Sequence, residues 1–207
     1  MKILSLDMST RRTGWALYEN EKLVAYDLIE TASSNMFERL CAMYKQIEEL
    51  LRIHKVDKII CEDVPVSMHS NLQTGKDLCV LQGCILALAF RYGLEYAFLK
   101  PTVWRAEIGL NHSEYKCLSC EYTKEDISGL EFNCCPHCGN KNKKQLTKTS
   151  LNLRSDLKKR AVEMSNTTFG TNFIFLPKGS KKNGDDMAEA ILIGYSYLKG
   201  CEKNGEN

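Results

Sequence analysis

The sequence predicts an α/β protein: a mixed central sheet flanked by helices, interrupted by a small cysteine-rich insertion. Three observations carry that reading. Ile3-Leu4-Ser5-Leu6 and Trp15-Ala16-Leu17-Tyr18 are short apolar runs without helical period, near enough to pair as a hairpin. Lys58-Ile59-Ile60-Cys61 is another buried-strand run, and it follows a long amphipathic helix pattern, a βαβ-like arrangement. Between Asn111 and Asn142 this rhythm stops and cysteine pairs take over.

At 207 residues the chain suits one domain with an elaboration. Lys22 to Ile29 alternates as a third strand. Asn35 to His54 is a helix, with Leu40, Tyr44, Ile47 and Leu51 on one face and Glu38, Lys45 and Glu49 on the other. Asp77 to Tyr92 is a helix rich in small residues, open to close approach by the sheet or by a second subunit. Glu95 to Leu99 is a strand, and Lys100-Pro101 opens a turn and a helix. A helix is expected from about Asn152 to Ser165, an extended segment from Asn172 to Leu176, a loop from Pro177 to Gly184, and a last helix with Asp185 as N-cap. Residues 1–110 and 143–207 are expected to form one domain around an insert at 111–142. No apolar run is long enough to cross a membrane. No signal peptide is expected, because the N-terminus runs straight into a strand.

Ten cysteines raise the question of disulfides. Cys41, Cys61, Cys79 and Cys84, however, are scattered through apolar segments as buried thiols are. Cys117-Leu118-Ser119-Cys120 and Cys135-Pro136-His137-Cys138 are two Cys-x-x-Cys knuckles, a pattern that suits tetrahedral Zn²⁺ on four thiolates. Cys134 and His137 are alternative ligands. Four protein ligands leave no open position for water, so the site is expected to be structural, a zinc ribbon. This cysteine usage points to a reducing compartment, and a cytoplasmic location is expected.

The net charge is only +2, so bulk charge announces no partner. The stretch from Lys141 to Arg160 is one-sided, with Lys141, Lys143, Lys144, Lys148, Arg154, Lys158, Lys159 and Arg160 against Asp156. Interleaved with threonine, serine and asparagine, it reads as a nucleic-acid footprint or, more plainly, as a solvated charged helix.

Acids sit where buried elements end. Asp7 closes the first strand, where it serves a site or caps the turn. Glu62 and Asp63 close the Lys58 strand on opposite faces, and Glu62 is the one expected to share Asp7's side, because Asp63 already sits at the turn before Val64-Pro65. Asp186 and Glu189 share one face of the last helix, continuous with Ile193 and Tyr197, or simply favour the positive end of its dipole. If these elements converge, Asp7, Glu62, Asp186 and Glu189 make an oxygen-rich site for two Mg²⁺ or Mn²⁺ ions. Two such ions suit phosphodiester cleavage. Lys100 at a strand end could face a phosphate or only solvent, and His69 reads as loop surface.

Leu4-Ser5-Leu6-Asp7 with Thr13-Gly14, then Ile60-Cys61-Glu62, then Asp186-Met187-Ala188-Glu189-Ala190 resembles the RuvC family of Holliday junction resolvases in motif order and spacing. The resemblance covers most of the chain outside the insert. It implies an RNase H-like fold, a homodimer, and Mg²⁺-dependent symmetric nicking of four-way or other branched DNA junctions, in recombination and repair. Carried over by position, the metal-binding acids are Asp7, Glu62, Asp186 and Glu189. Bacterial members usually carry aspartate at the last position, so Glu189 departs from them and Asp185 becomes a stand-in. Val64-Pro65-Val66 stands where bacterial relatives carry an aromatic, and the zinc insert resembles divergent members.

Two other readings fit fewer residues. Actin-like phosphotransferases also open with Asp, small hydroxyl residues and Thr-Gly, but they need a second lobe and leave Asp186 and Glu189 unexplained. A non-catalytic zinc-ribbon DNA-binding protein on a nuclease scaffold would not need all four acids.

Overall fold

The computed structural model describes residues 1–64, 72–111, 113–125, 134–150, 153–176 and 183–204. Strands β1 (Lys2–Asp7), β2 (Arg12–Glu19) and β3 (Lys22–Glu30) form an antiparallel meander. Helix α1 (Met36–His54) crosses over to β4 (Lys58–Glu62), parallel to β1 on its other side. Helix α2 (Leu72–Tyr92) leads to β5 (Glu95–Leu99), parallel to β4. The five-stranded sheet has the order β3-β2-β1-β4-β5, mixed as expected. Strand β1 is central, and Ile3 to Leu6 are buried because helices cover both faces.

Two cores result. On one face Leu4, Leu6 and Ile59 pack against Leu40, Met43 and Ile47 of α1 and Leu81 and Ile85 of α2. On the other, Ile3, Ala16, Tyr18 and Ile60 pack with Trp104 of α3 (Pro101–Glu107), Ala161 of α4 (Arg154–Phe169) and Ala190 to Ile193 of α5 (Asp185–Asn204). Asn35 caps α1: its side-chain oxygen accepts from the Phe37 and Glu38 amides. Lys55, left-handed at φ 51°, ends the helix with a bond from its amide to the Leu51 carbonyl.

Helix α2 begins earlier than the sequence suggested. Leu72 to Lys76 are mostly polar, and apolar periodicity becomes legible only further on. Pro65–Asn71, including His69, lie outside the described residues. Helix α4 runs on to Phe169 and ends at Gly170, at φ 69°. The following segment is extended without pairing, held by Asn166, whose side chain bonds both the amide and the carbonyl of Phe173. Asp185 is the first residue of α5 and not its cap, because the first helical bond runs from the Ala188 amide to the Gly184 carbonyl.

A second, three-stranded antiparallel sheet holds the cysteine knuckles. Its order is β7 (Thr123–Glu125), β6 (Ser113–Cys117), β8 (Leu146–Ser150), so its third strand comes from beyond Asn142. Tyr115, Cys117 and Cys135 form its small core.

Candidate active site

The acids meet at one end of the five-stranded sheet. The flush β1–β4 register, with Leu6 opposite Cys61, brings Asp7 and Glu62 to neighbouring strand ends. Gly14 lies opposite Asp7 on β2. A Cβ on Gly14 would overlap the Asp186 carbonyl and lie 2.9 Å from the Met187 amide nitrogen. Only glycine therefore lets the first turn of α5 come down on the strand ends. Two bonds pin the helix behind that turn: Ser5 Oγ donates to the Ala190 carbonyl at 2.8 Å, and Tyr18 OH to the Ile191 carbonyl at 2.7 Å. Asp185, Asp186 and Glu189 then overhang β1 and β4.

Basic side chains thread the cluster. Arg105 Nη2 bridges Glu62 Oε2 and Glu189 Oε1, each at 3.1 Å. The Trp104 indole donates to the same Glu62 oxygen at 2.7 Å. Lys158 Nζ lies 2.5 Å from Asp185 Oδ2, 3.2 Å from Asp186 Oδ1 and 3.5 Å from Glu189 Oε2. Arg12 Nε approaches the other Asp186 oxygen at 3.2 Å. Glu189 is thus held at both oxygens, and its side chain is only 5% exposed.

Negative charge still dominates. Burial among protein atoms pushes the Asp7 carboxyl well above the usual carboxylate range, and the charges of Glu189, Glu62 and Asp186 push it further. Lys158 opposes the shift. Burial also raises Glu62, against the pull of Arg105, and raises Asp186, against the pull of Lys158. Raised carboxyls converging from three elements make a site short of positive charge. Carboxylate oxygens are hard donors, the kind Mg²⁺ or Mn²⁺ takes.

Asp63 turns the other way and accepts from Gln82 of α2 at 3.2 Å, so β4 sends Glu62 and Asp63 to different sides, as alternation requires. Lys100 is exposed ahead of Pro101. A cavity of about 890 Å³ opens beside the acids, with Arg11, Arg12, Arg154, Lys158 and Phe175 on its wall. In the basic stretch, Lys141, Lys144, Arg154 and Lys159 are exposed, whereas Lys158 is half-buried against the acids. Lys158 therefore does not belong to the surface footprint. The side chains of Lys143 and Lys148 lie outside the described residues.

In the small sheet, the Sγ atoms of Cys117, Cys120, Cys135 and Cys138 all lie within 4.8 Å of one another. Burial raises the Cys117 thiol, but amide bonds from Ser119 and Cys120 and the neighbouring thiols outweigh it and bring the group down to about 6. The same close contacts push the Cys120 thiol up to about 12 and raise Cys138, so it is the convergence of four sulfurs within 4.8 Å that fits Zn²⁺. Cys134 is not one of the four, and the His137 ring is stacked on Tyr122 with centroids 5.7 Å apart.

Sequence reading missed the partners of the acids. Trp104 and Arg105 sit on α3, too short for periodicity to show its inner face. Lys158 did carry a signal: it lies three and four residues before Ala161 and Val162, both buried, on the inner face of α4.

Comparison with known proteins bears on the fold and the family. No curated protein sequence matches the chain. Thermus thermophilus RuvC, solved in complex with Holliday junction substrate, superposes with a TM-score of 0.61 at 12% identity, covering 100% of this chain and 97% of that one. A second Thermus thermophilus RuvC structure gives a TM-score of 0.58 at 12% identity, covering 100% of this chain and 98% of that one. At such identity these two establish the fold, an RNase H-like one. The family model for crossover junction endodeoxyribonuclease RuvC matches residues 3–117, from β1 to the first zinc-type cysteine. The chain belongs to the RuvC family of crossover junction endodeoxyribonucleases, which are hydrolases.

Proposed function

We propose that this protein resolves four-way DNA junctions by divalent-metal-assisted phosphodiester hydrolysis. One observation carries the reading: Asp7, Glu62, Asp186 and Glu189 converge at the end of a mixed sheet, beside a cavity walled by Arg11, Arg12 and Arg154. These four carboxylates would hold two Mg²⁺ or Mn²⁺ ions, with Asp185 as a neighbouring acceptor. Bound there, such ions supply an activated water and charge stabilisation at the leaving oxygen. The protein's own groups prepare the rest. Trp104 and Arg105 fix one oxygen of Glu62 and leave the other available. Arg105 also sets the rotamer of Glu189. Arginines along the cavity would take the backbone phosphates on either side of the cut.

The cysteine cluster would hold a structural Zn²⁺, and the exposed Lys116, Lys124, Lys141 and Lys144 of that small sheet would add sequence-independent DNA contacts. A homodimer is part of the same proposal. Val80, Gly83, Ala87 and Phe90 form an exposed stripe along α2, with Phe90 92% exposed, and small residues there would let a second copy's helix approach.

The test is cleavage of a labelled four-way junction and a matched linear duplex with Mg²⁺, by wild type and Asp7→Asn. Paired nicks in the junction alone, absent in Asp7→Asn, are expected. Equal cutting of the duplex would overturn junction selectivity. Tight binding without cleavage in Mg²⁺ or Mn²⁺ would overturn the hydrolytic role of the four acids.

A further inference from the structure

Lys158 stands apart from the other cations of the site. Its neighbours in the chain, Lys159 and Arg154, are exposed, yet the Lys158 side chain is 20% exposed and reaches Asp185, Asp186 and Glu189. These acceptors lie on one helical turn that has no other described lysine against it. A lysine ammonium is a compact point charge on a flexible stem, unlike the rigid fork of arginine. Arg105 is locked: its guanidinium lies 4.7 Å from the Trp104 ring centre, and Trp104 is itself bonded to Glu62. Among the described residues, the Lys158 ammonium is held by the acids it neutralises, Asp185, Asp186 and Glu189. Lys158 also lines the 890 Å³ cavity, so there is room beside the acids for the ammonium to withdraw into.

We propose that Lys158 is a resident counter-cation: it holds the α5 carboxylates together in the metal-free protein, and a divalent ion displaces it into the adjoining cavity on binding. This rests on the reading of Asp186 and Glu189 as metal ligands. Lys158 is here a positioning residue, acting through the carboxylates. Arg12 and Arg105 each meet one of these acids, but Lys158 reaches all three, so its charge offsets the repulsion among acids crowded onto one helical turn and competes with a metal for the same oxygens. Metal affinity is then reduced by the fraction of time the ammonium occupies the carboxylates. Metal loading and release of a lysine toward the arginine-lined cavity become one event, which readies the cavity for an anionic strand as the acids are neutralised.

The experiment is Mn²⁺ titration of the full-length protein without DNA, by calorimetry and by the electron paramagnetic resonance signal of free Mn²⁺, at fixed ionic strength. Wild type, Lys158→Met, Lys158→Gln and Asp7→Asn are compared, with unfolding temperatures measured with and without Mn²⁺. Lys158→Met keeps the stem and removes the charge. It is expected to bind Mn²⁺ about tenfold more tightly than wild type. Without metal it should melt below wild type, and saturating Mn²⁺ should close that gap. Lys158→Gln should behave alike, which separates the effect from a packing fault in one variant. Unchanged affinity with a melting gap that Mn²⁺ leaves intact would make Lys158 merely structural and overturn the inference. Weaker binding in both variants would make Lys158 an organiser of the metal site and not its competitor, which also overturns it. If Asp7→Asn binds Mn²⁺ as wild type does, the metal reading of the acids fails first and takes this inference with it.

Discussion

Gly14→Ala adds one methyl group at the point where β2 meets α5. The new Cβ would lie 2.9 Å from the Met187 amide nitrogen and closer still to the Asp186 carbonyl. Comfortable carbon contacts begin near 3.5 Å, so the backbone must move by more than about 1 Å to clear the Asp186 oxygen. The body of α5 resists, because Ser5 and Tyr18 hold the Ala190 and Ile191 carbonyls. The first turn, held by the side-chain ion pairs of Arg12 and Lys158, yields instead, and with it Asp186 moves away from Asp7. A displacement of about 1 Å costs about 100-fold in rate at a preorganised site, equivalent to about 2.7 kcal/mol of barrier. Overpacking costs about 1–3 kcal/mol of stability, offset by about 0.4–1 kcal/mol from the stiffer unfolded chain. The variant should stay folded, bind junctions in Ca²⁺ as wild type does, and cleave about 100-fold more slowly in single-turnover assays with Mg²⁺. Gly75→Ala on α2 is the control, since nothing lies within 4 Å of the Cβ it would add. Urea unfolding establishes that both variants are folded. Cleavage by folded Gly14→Ala within about twofold of wild type would refute the argument that this close approach sets the position of the acids.

Three further expectations use other parts of the molecule. Trp104→Phe removes the 2.7 Å bond to Glu62 while filling most of the same space, and should lower the cleavage rate about tenfold with junction affinity unchanged, as gel shift and single-turnover kinetics would read. Asp7, Glu62 and Asp186 all have carboxyls raised mainly by burial, so the folded protein binds protons more tightly than the unfolded chain. Without Mg²⁺, stability should therefore fall as pH rises from the ordinary carboxylate range through the raised values, and urea midpoints at pH 5 and pH 8 should show less of that fall in Asp7→Asn. Cys120→Ser should abolish bound zinc in a colorimetric release assay and weaken junction binding, while the circular dichroism of the five-stranded sheet and its helices persists.

What the sequence made legible was local. A buried run that stops on a carboxylate is visible without a structure, so Asp7 and Glu62 stood out at once, and two acids three residues apart at a helix start marked Asp186 and Glu189. Elements with a clear period were also legible: β5 has the bounds its pattern implied, and α1 starts just after the asparagine that caps it. Strand alternation puts Glu62 and Asp63 on opposite faces, and the choice of Glu62 came from Asp63 sitting already at the turn before Val64-Pro65. What remained hidden depends on distant pairing. The flush register of β1 on β4, which levels Asp7 with Glu62, is set by packing of whole faces across the α1 crossover. Arg105 meets Glu189 across 84 positions, and no local pattern encodes that distance.

Lys158 shows how this blindness can mislead. Counted with its neighbours it is one more charge in a basic stretch, and composition alone sends the whole stretch to solvent or to DNA. Helical geometry says otherwise, since residues three and four apart share a face and Ala161 and Val162 are buried. A lysine on an inner face requires a carboxylate to meet it, and the acids at the start of α5 require a cation in return. Each half of the pair is anomalous alone and costly to bury; together they are a reason for α4 and α5 to pack as they do. A cluster of acids at strand ends should therefore be read together with the basic residues on the buried faces of the surrounding helices. In this chain that rule singles out Lys158 of α4, whose ammonium holds the acids at the start of α5 together.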